Sequence, residues 1–365
     1  MKHQLHLLRL TMLCAALCSA TSLVKAQTEI TEFRPGATLE GVNYFLPKVV
    51  LRVVVVAEKT VTLPGDFAPY ADRYLRLRDV PTEESTQWTL RQLSLEPYGV
   101  PDSSKAYSLR VKSKTVAPLV SLTADGLLLG INTQVDAEPM PPLPVAVPAT
   151  KPINPRDYMT QQILSAGSAA KMAQLTAEEI YDLRESRNAL IRGEADNTPK
   201  DGAQLKLMLD NLDKQCAALE SMFKGQQLTS TEVMSFQYEP SGEGPTERAL
   251  LCRFSRMNGL VDVDDLSGEP VWISVKPLAN LPQRAEVEGV MQKRQKMEQG
   301  VWVNQPVRAL VTVFTAHQTL VSTEMVIPQL GTTEVLSDAL FNKKPETRVT
   351  IYQHTGNVKQ LSGAE

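Results

Sequence analysis

Across residues 176–225 the apolar positions recur at intervals of three and four, which predicts two amphipathic helices. The first places Ile180, Leu183, Leu190 and Ile191 on one side, with Arg187 among them, and turns Glu185, Ser186 and Arg192 to water. Its start is predicted at Thr176. There Thr176-Ala177-Glu178-Glu179 fits a capping box, in which the hydroxyl and the Glu179 carboxylate each satisfy an otherwise free amide. Gly193 supplies a left-handed stop. The second helix is predicted from Asp201, with Gln204 repeating the capping logic, to a stop at Gly225. It carries Leu205, Met208, Leu209, Leu212, Cys216, Leu219 and Phe223 on its apolar side, and Lys206, Asp210, Lys214, Glu220 and Lys224 at i,i+4 spacing on the other. The connection, 193–200, is short enough to make the helices antiparallel neighbours. The stripe of the second helix is the wider one, so that helix is expected to touch both its partner and a β-region.

On either side the period changes to that of strands. Before the helices, strands are predicted at 42–45, 49–56, 60–63, 88–95, 106–111 and within 119–131, with Asp125-Gly126 as a hairpin turn. The run 49–56 is too continuously apolar for a half-solvated strand and is expected to be buried on both faces. After the helices, strands are predicted at 231–238, 249–256, 271–275, 301–303, 307–315 and 319–327, then a closing hairpin of 347–352 and 357–361. Segment 70–77 fits neither period, and the charged segment 286–299 fits a helix or a long exposed loop. Seven prolines between Ala137 and Pro155 rule out both helix and sheet and predict an extended linker. Pro47 and Pro306 each lead into a similar β-rich run, a faint internal echo that a duplication would explain.

These elements predict an α+β fold that is mainly β. An N-terminal β-domain spans 27–136, a proline-rich linker 137–155, a helical hairpin segment 156–225 and a C-terminal β-domain 226–365. Each β-domain is expected to be antiparallel and sandwich- or barrel-like.

Residues 1–26 change the picture. Lys2 and Arg9 precede an apolar run at 10–20 and small residues near Ala26, which is the pattern of a secretory signal peptide cut before Gln27. Leu13 and Leu17, just before Cys14 and Cys18, are too large for a lipid-attachment site. Cleavage removes Lys2, Arg9 and Lys25 and no acids, leaving 35 basic against 41 acidic residues, a net charge of −6. That balance argues against a nucleic-acid partner. No later stretch reaches the roughly 20 apolar residues of a transmembrane helix. Of the four cysteines only Cys216 and Cys252 remain, and an oxidising compartment leaves open either a bridge between them or two buried thiols.

Candidate chemistry is sparse. Ser168-Ala169-Ala170-Lys171 fits the S-x-x-K pattern of acyl-transfer enzymes, but no K-T-G accompanies it and Ser221-Met222-Phe223-Lys224 repeats it inside a predicted helix. His317 and His354 show no metal-ligand spacing. Asp262, Asp264 and Asp265, followed by Gly268 and Glu269, are the densest oxygen cluster, yet Leu266 stands where a calcium loop needs a ligand, so a solvated turn competes with a metal site. Trp88, Trp272 and Trp302 could stack sugar rings, or pack in the core as strand tryptophans usually do. No cofactor is expected.

Five pieces of the chain resemble one family. They are Tyr44-Phe45-Leu46-Pro47-Lys48, Pro64-Gly65-Asp66-Phe67-Ala68-Pro69-Tyr70-Ala71, Leu183-Arg184-Glu185-Ser186-Arg187 with Gly193-Glu194, Asp265-Leu266-Ser267-Gly268-Glu269-Pro270, and Thr355-Gly356-Asn357. Together they are similar to domain-of-unknown-function family 4831 of exported proteins from Gram-negative anaerobes, over nearly the whole mature chain. The resemblance implies export and carries no catalytic residues; the proline linker is longer here than the family pattern. The expected function is that of a non-enzymatic exported envelope protein, periplasmic, outer-membrane-associated or secreted, whose partner is another envelope protein or a glycan. The alternatives are a glycan- or peptide-binding module and a hydrolase using carboxylates or Ser168.

Overall fold

A computed structural model describes residues 42–109, 120–196, 199, 201–281, 300–337 and 347–363. Residues 1–26, read above as a signal peptide, and the charged segment 286–299 lie outside them. The three short strands predicted before Pro64 are one: β1 (Val42–Leu63) runs 22 residues through Pro47. It pairs antiparallel with β2 (Ser85–Leu109), which likewise joins two predicted segments. Proline cannot donate to the ladder, and the register shifts between Phe45 and Pro47. The ambiguous stretch after β1 forms a single helical turn, α1 (Ala71–Leu75). β3 (Val120–Leu122) and β4 (Leu128–Ile131) make the predicted hairpin, with Gly126 at φ 84° in its turn.

A one-turn helix, α2 (Gln161–Leu164), precedes the long hairpin of α3 (Ala169–Arg192) and α4 (Gly202–Lys224). The predicted capping box at Thr176 is not formed. Thr176 lies fully buried inside α3, and its hydroxyl donates to the Met172 carbonyl at 2.8 Å. Residues 169–175 are strong helix formers, so the helix runs back to Ser168, whose hydroxyl caps the Lys171 amide at 3.3 Å. At the other end Gly193 is left-handed, as predicted. Asp201 caps α4 through the Ala203 amide at 3.1 Å.

The chain then enters β5 (Gln226–Tyr238), β6 (Thr246–Ser255), β7 (Gly259–Val261) and β8 (Glu269–Pro277). β9 (Gly300–Phe314), β10 (Thr319–Ser337), β11 (Thr347–Ile351) and β12 (Val358–Gly363) follow. Among the described residues three antiparallel sheets result, ordered β2-β1-β5, β10-β9-β8-β6-β7 and β12-β11-β4-β3. The fold is mainly β, with sandwich-like packing of the first sheet on the second. Val49, Leu51, Val53 and Val55 of β1 face Val271, Ile273, Ala309, Val311 and Val313 across that core. Each such side chain contributes about 1.5–3 kcal/mol of burial.

A second core holds Tyr44 and Leu46 of β1 with Ile131, Val301, Trp302, Val303 and Val349. β1 and β9 therefore each serve two cores, and the handover falls near Pro47 and Pro306. The two meet there: the Asn304 side chain, fully buried, donates to the Pro47 and Thr355 carbonyls at 2.9 Å each. The Tyr44 hydroxyl accepts from the Trp302 amide at 2.8 Å, and burial pushes that hydroxyl's pKa up.

The proline-rich stretch is extended, and it is docked. Glu138 exchanges hydrogen bonds with the Gln353 side chain, Arg52 donates to the Pro141 carbonyl, and Thr231 of β5 donates its amide to Val147 at 2.9 Å. Gln226 and Ile153 close the strap with two side-chain bonds of 2.7 and 2.8 Å. Backbone that cannot pair regularly, because of its prolines, thus still covers part of the β5 edge. Val50 and Val54, on the face of β1 opposite the sandwich core, are buried as well.

Candidate functional site

The helical hairpin has one buried end and one open end. At the buried end, Ala173, Ala177, Ile180 and Leu183 of α3 and Leu219, Met222 and Phe223 of α4 pack on Phe67, Ala71 and Leu75. Two close backbone approaches fix this end. The Phe67 amide donates to the Met222 carbonyl at 2.7 Å, and a Cβ on Gly65 would strike that same carbonyl. Gly225 turns α4 into β5 in a single residue, at φ 76° and with the Leu63 carbonyl where a side chain would stand.

Along the hairpin the helices are tied by ion pairs across their seam. Glu220 accepts from Arg184 at 2.7 Å and from Lys224 at 2.8 Å, and Cys216 donates its thiol to it at 3.3 Å. Burial alone would raise the Glu220 carboxyl, but the bonds from Lys224, Arg184 and Cys216 outweigh it and hold the pKa at about 2. Arg187 pairs with Asp213 at 2.6 Å, so the arginine predicted on the apolar side of the first helix faces an acid on the second.

Beyond these pairs the apolar stripe continues without a cover among the described residues. Leu190 is buried, but Ile191 is 54 % exposed, Leu207 63 % and Met208 40 %. Between the helices here lies an open groove of about 620 Å³, lined by Ser186, Ala189 and Leu190 of α3, Met208, Asn211, Leu212 and Gln215 of α4, and Glu194, Ala195 and Asp196 of the loop. Small side chains on α3 open its floor, and Leu190, Met208 and Leu212 make it apolar. Among the described residues its only ionisable lining groups are Glu194 and Asp196.

The candidates read from sequence are scattered by comparison. Ser168 is a helix cap, its hydroxyl facing the Lys171 amide, while the Lys171 ammonium lies 3.4 Å from Gln174. Trp88 and Trp302 are buried, Trp88 beneath Gly259 and Trp302 stacked on Tyr107 at 5.5 Å. Trp272 is half-buried, with the Arg248 guanidinium 3.6 Å from its ring centroid. The three indoles thus present no common platform. Asp262, Asp264 and Asp265 lie on the exposed β7–β8 loop, where Asp265 accepts from the Ser267 amide at 2.8 Å and that bond lowers its pKa. Among the described residues no group of three His, Cys, Asp or Glu side chains is arranged to hold a metal.

His317 is exposed, 3.7 Å from Glu269. His354 sits in the β11–β12 turn, and desolvation by burial lowers its pKa. Both cysteines are free thiols: Cys252 belongs to the sandwich core and Cys216 to the helical one. Burial pushes the Cys252 thiol up to about 12.

The family model of a domain of unknown function, DUF4831, matches residues 40–359. The chain belongs to that family. No curated protein and no solved structure matches it. In this DUF4831 chain the five sequence pieces that carried the resemblance fall at junctions. Pro47, Thr355 and Gly356 gather around Asn304, Gly65 and Phe67 grip the end of α4, Arg184 and Arg187 pair across the hairpin, and Gly268 accepts from Arg253 at 3.0 Å. Of the groove residues, Ser186 was read from the sequence as facing water, and Ala189, Asn211 and Gln215 were not singled out, because small and neutral side chains carry no pattern. The wider apolar stripe of the second helix was read as a contact with a β-region and not as a groove.

Proposed function

We propose that the protein is an exported envelope protein that acts by surface contact, and that the open end of its helical hairpin is the contacting surface. Export is supported by the charged, apolar and small-residue pattern of residues 1–26. No helix among the described residues is long and apolar enough to cross a membrane. One observation carries the contact reading. The apolar stripes of α3 and α4 outrun the core that buries their other end, leaving Met208 exposed in the wall of a groove and Ile191 exposed at the end of α3, with Leu207, next to Met208, exposed as well. Apolar side chains clustered around an open groove mark interaction surfaces, whereas scattered ones do not.

The reading is tested by placing a photo-crosslinking residue at Leu207 of the full chain in its native envelope, with Leu361 as an exposed control on β12. Position 207 is expected to yield a discrete protein adduct and position 361 none. The same adducts from both positions, or none from 207, would overturn it.

A further inference from the structure

We propose that the groove at the open end of the hairpin receives a basic amphipathic helix from a partner protein. This rests on the contact reading above and adds the chemistry of the occupant. The groove lies between two antiparallel helices and is open to solvent, and Ile191 and Leu207, the chain neighbours of its lining residues Leu190 and Met208, are exposed as well. Small-molecule sites of comparable volume enclose about 70–90 % of their ligand, which an open trough cannot do. An elongated occupant fits it better. A helix laid in such a trough presents apolar side chains at i, i+3, i+4 and i+7, and these match a floor of Leu190, Met208 and Leu212.

Charge decides which helix. Among the described residues Glu194 and Asp196 are the only ionisable groups of the lining. Arg192 reaches to 3.7 Å of the Glu194 carboxylate from outside the groove, with 59 % of its own side chain exposed, and no ion pair among the described residues engages Asp196. The mouth therefore favours lysine or arginine on the flanks of the incoming helix, by attraction that salt weakens. A second copy of this chain is a poorer occupant. Groove against groove across a two-fold axis would bring Glu194 and Asp196 of both copies into one interface whose lining supplies no base. An anionic membrane surface is disfavoured by the same two carboxylates.

The test uses the mature chain and two synthetic helices of about 14 residues, four turns, with leucine on one face. One carries lysine on its polar face, the other glutamate. Calorimetric titration is expected to show binding of the lysine peptide alone, weakening as salt rises from about 50 to 300 mM. Met208→Asp and the pair Glu194→Lys with Asp196→Lys are each expected to reduce that affinity by about tenfold or more. The remote pair Asp262→Lys with Asp264→Lys is the control for non-specific attraction and should leave it unchanged.

Binding that survives both groove variants, preference for the glutamate peptide, or no binding at all would overturn the proposal. So would a dimer in sedimentation that Met208→Asp dissociates, which would assign the groove to a second copy. Failure with the lysine peptide while crosslinking at position 207 still succeeds refutes the basic helix alone. Failure of both refutes the contact reading as well.

Discussion

At one end of the helical hairpin Leu219, Met222 and Phe223 are buried against Phe67 and Ala71, while at the other Ile191, Leu207 and Met208 stand in solvent. In sequence Met208, Leu219 and Phe223 belong to one apolar stripe and Ile191 to that of the facing helix, because periodicity reports which residues share a face and not what covers it. The contrast separates two roles of the same helices. Their buried end is stapled to β1 through Gly65, Phe67 and Gly225 and holds the fold together. Their open end has no comparable partner among the described residues and is available for contact.

The largest break in this contrast comes from the buried end. Phe223→Ala removes a ring that is fully buried and 5.5 Å from Phe67, and should cost about 3–5 kcal/mol, a large part of a typical domain's stability. Urea unfolding would record it as a lower midpoint. Gly225→Ala should also destabilise, since φ is positive there and the added Cβ meets the Leu63 carbonyl.

Next in size is the junction of β1 with β9. Asn304→Ala strips the Pro47 and Thr355 carbonyls of their donor and should cost about 2 kcal/mol in the same assay.

A smaller effect belongs to the middle of the hairpin. The folded-state pKa of Glu220, about 2, lies below the roughly 4.3 of an unperturbed glutamate. Its contribution to stability is therefore fully present above that unfolded value and is lost as pH falls from about 4 toward 2. Glu220→Gln should lower stability at neutral pH and flatten the dependence over that window, read as urea midpoints at several pH values.

The cysteines give a further check on the same division. Cys216 is half-buried on the hairpin, whereas Cys252 is buried in the sandwich core. Native-state alkylation followed by mass spectrometry should modify Cys216 first, with Cys252 reacting only on unfolding.

Much of this fold was legible in the sequence where the rules are local. The hairpin helices, the Gly193 and Gly225 stops, the Asp201 cap and the Asp125-Gly126 turn all follow from neighbouring residues. Thr176 shows how a local rule fails: a valid capping pattern lost to the helix-forming run before it, which carried the helix back to Ser168. Long-range placement was not legible. That β4 lies beside β11, or that Asn304 would meet Pro47, depends on contacts more than 200 residues apart with no trace in local periodicity. Prolines 47 and 306 read as strand breaks and instead lie within β1 and β9, where register irregularities accommodate them. The groove was not legible: the width of the α4 stripe was read as contact with a β-region, and the neutral residues of the lining carry no pattern.

The division between the two ends of the hairpin is tested most directly by Met208→Asp, with stability and partner recovery measured on the same preparation. The variant is expected to keep its urea midpoint within about 0.5 kcal/mol of the parent, as an exposed position should. On an affinity column challenged with native envelope extract the parent chain is expected to retain a partner protein and the variant to lose it. Destabilisation as large as that of Phe223→Ala, or undiminished recovery of the partner, would contradict the assignment of the open end as the contact surface.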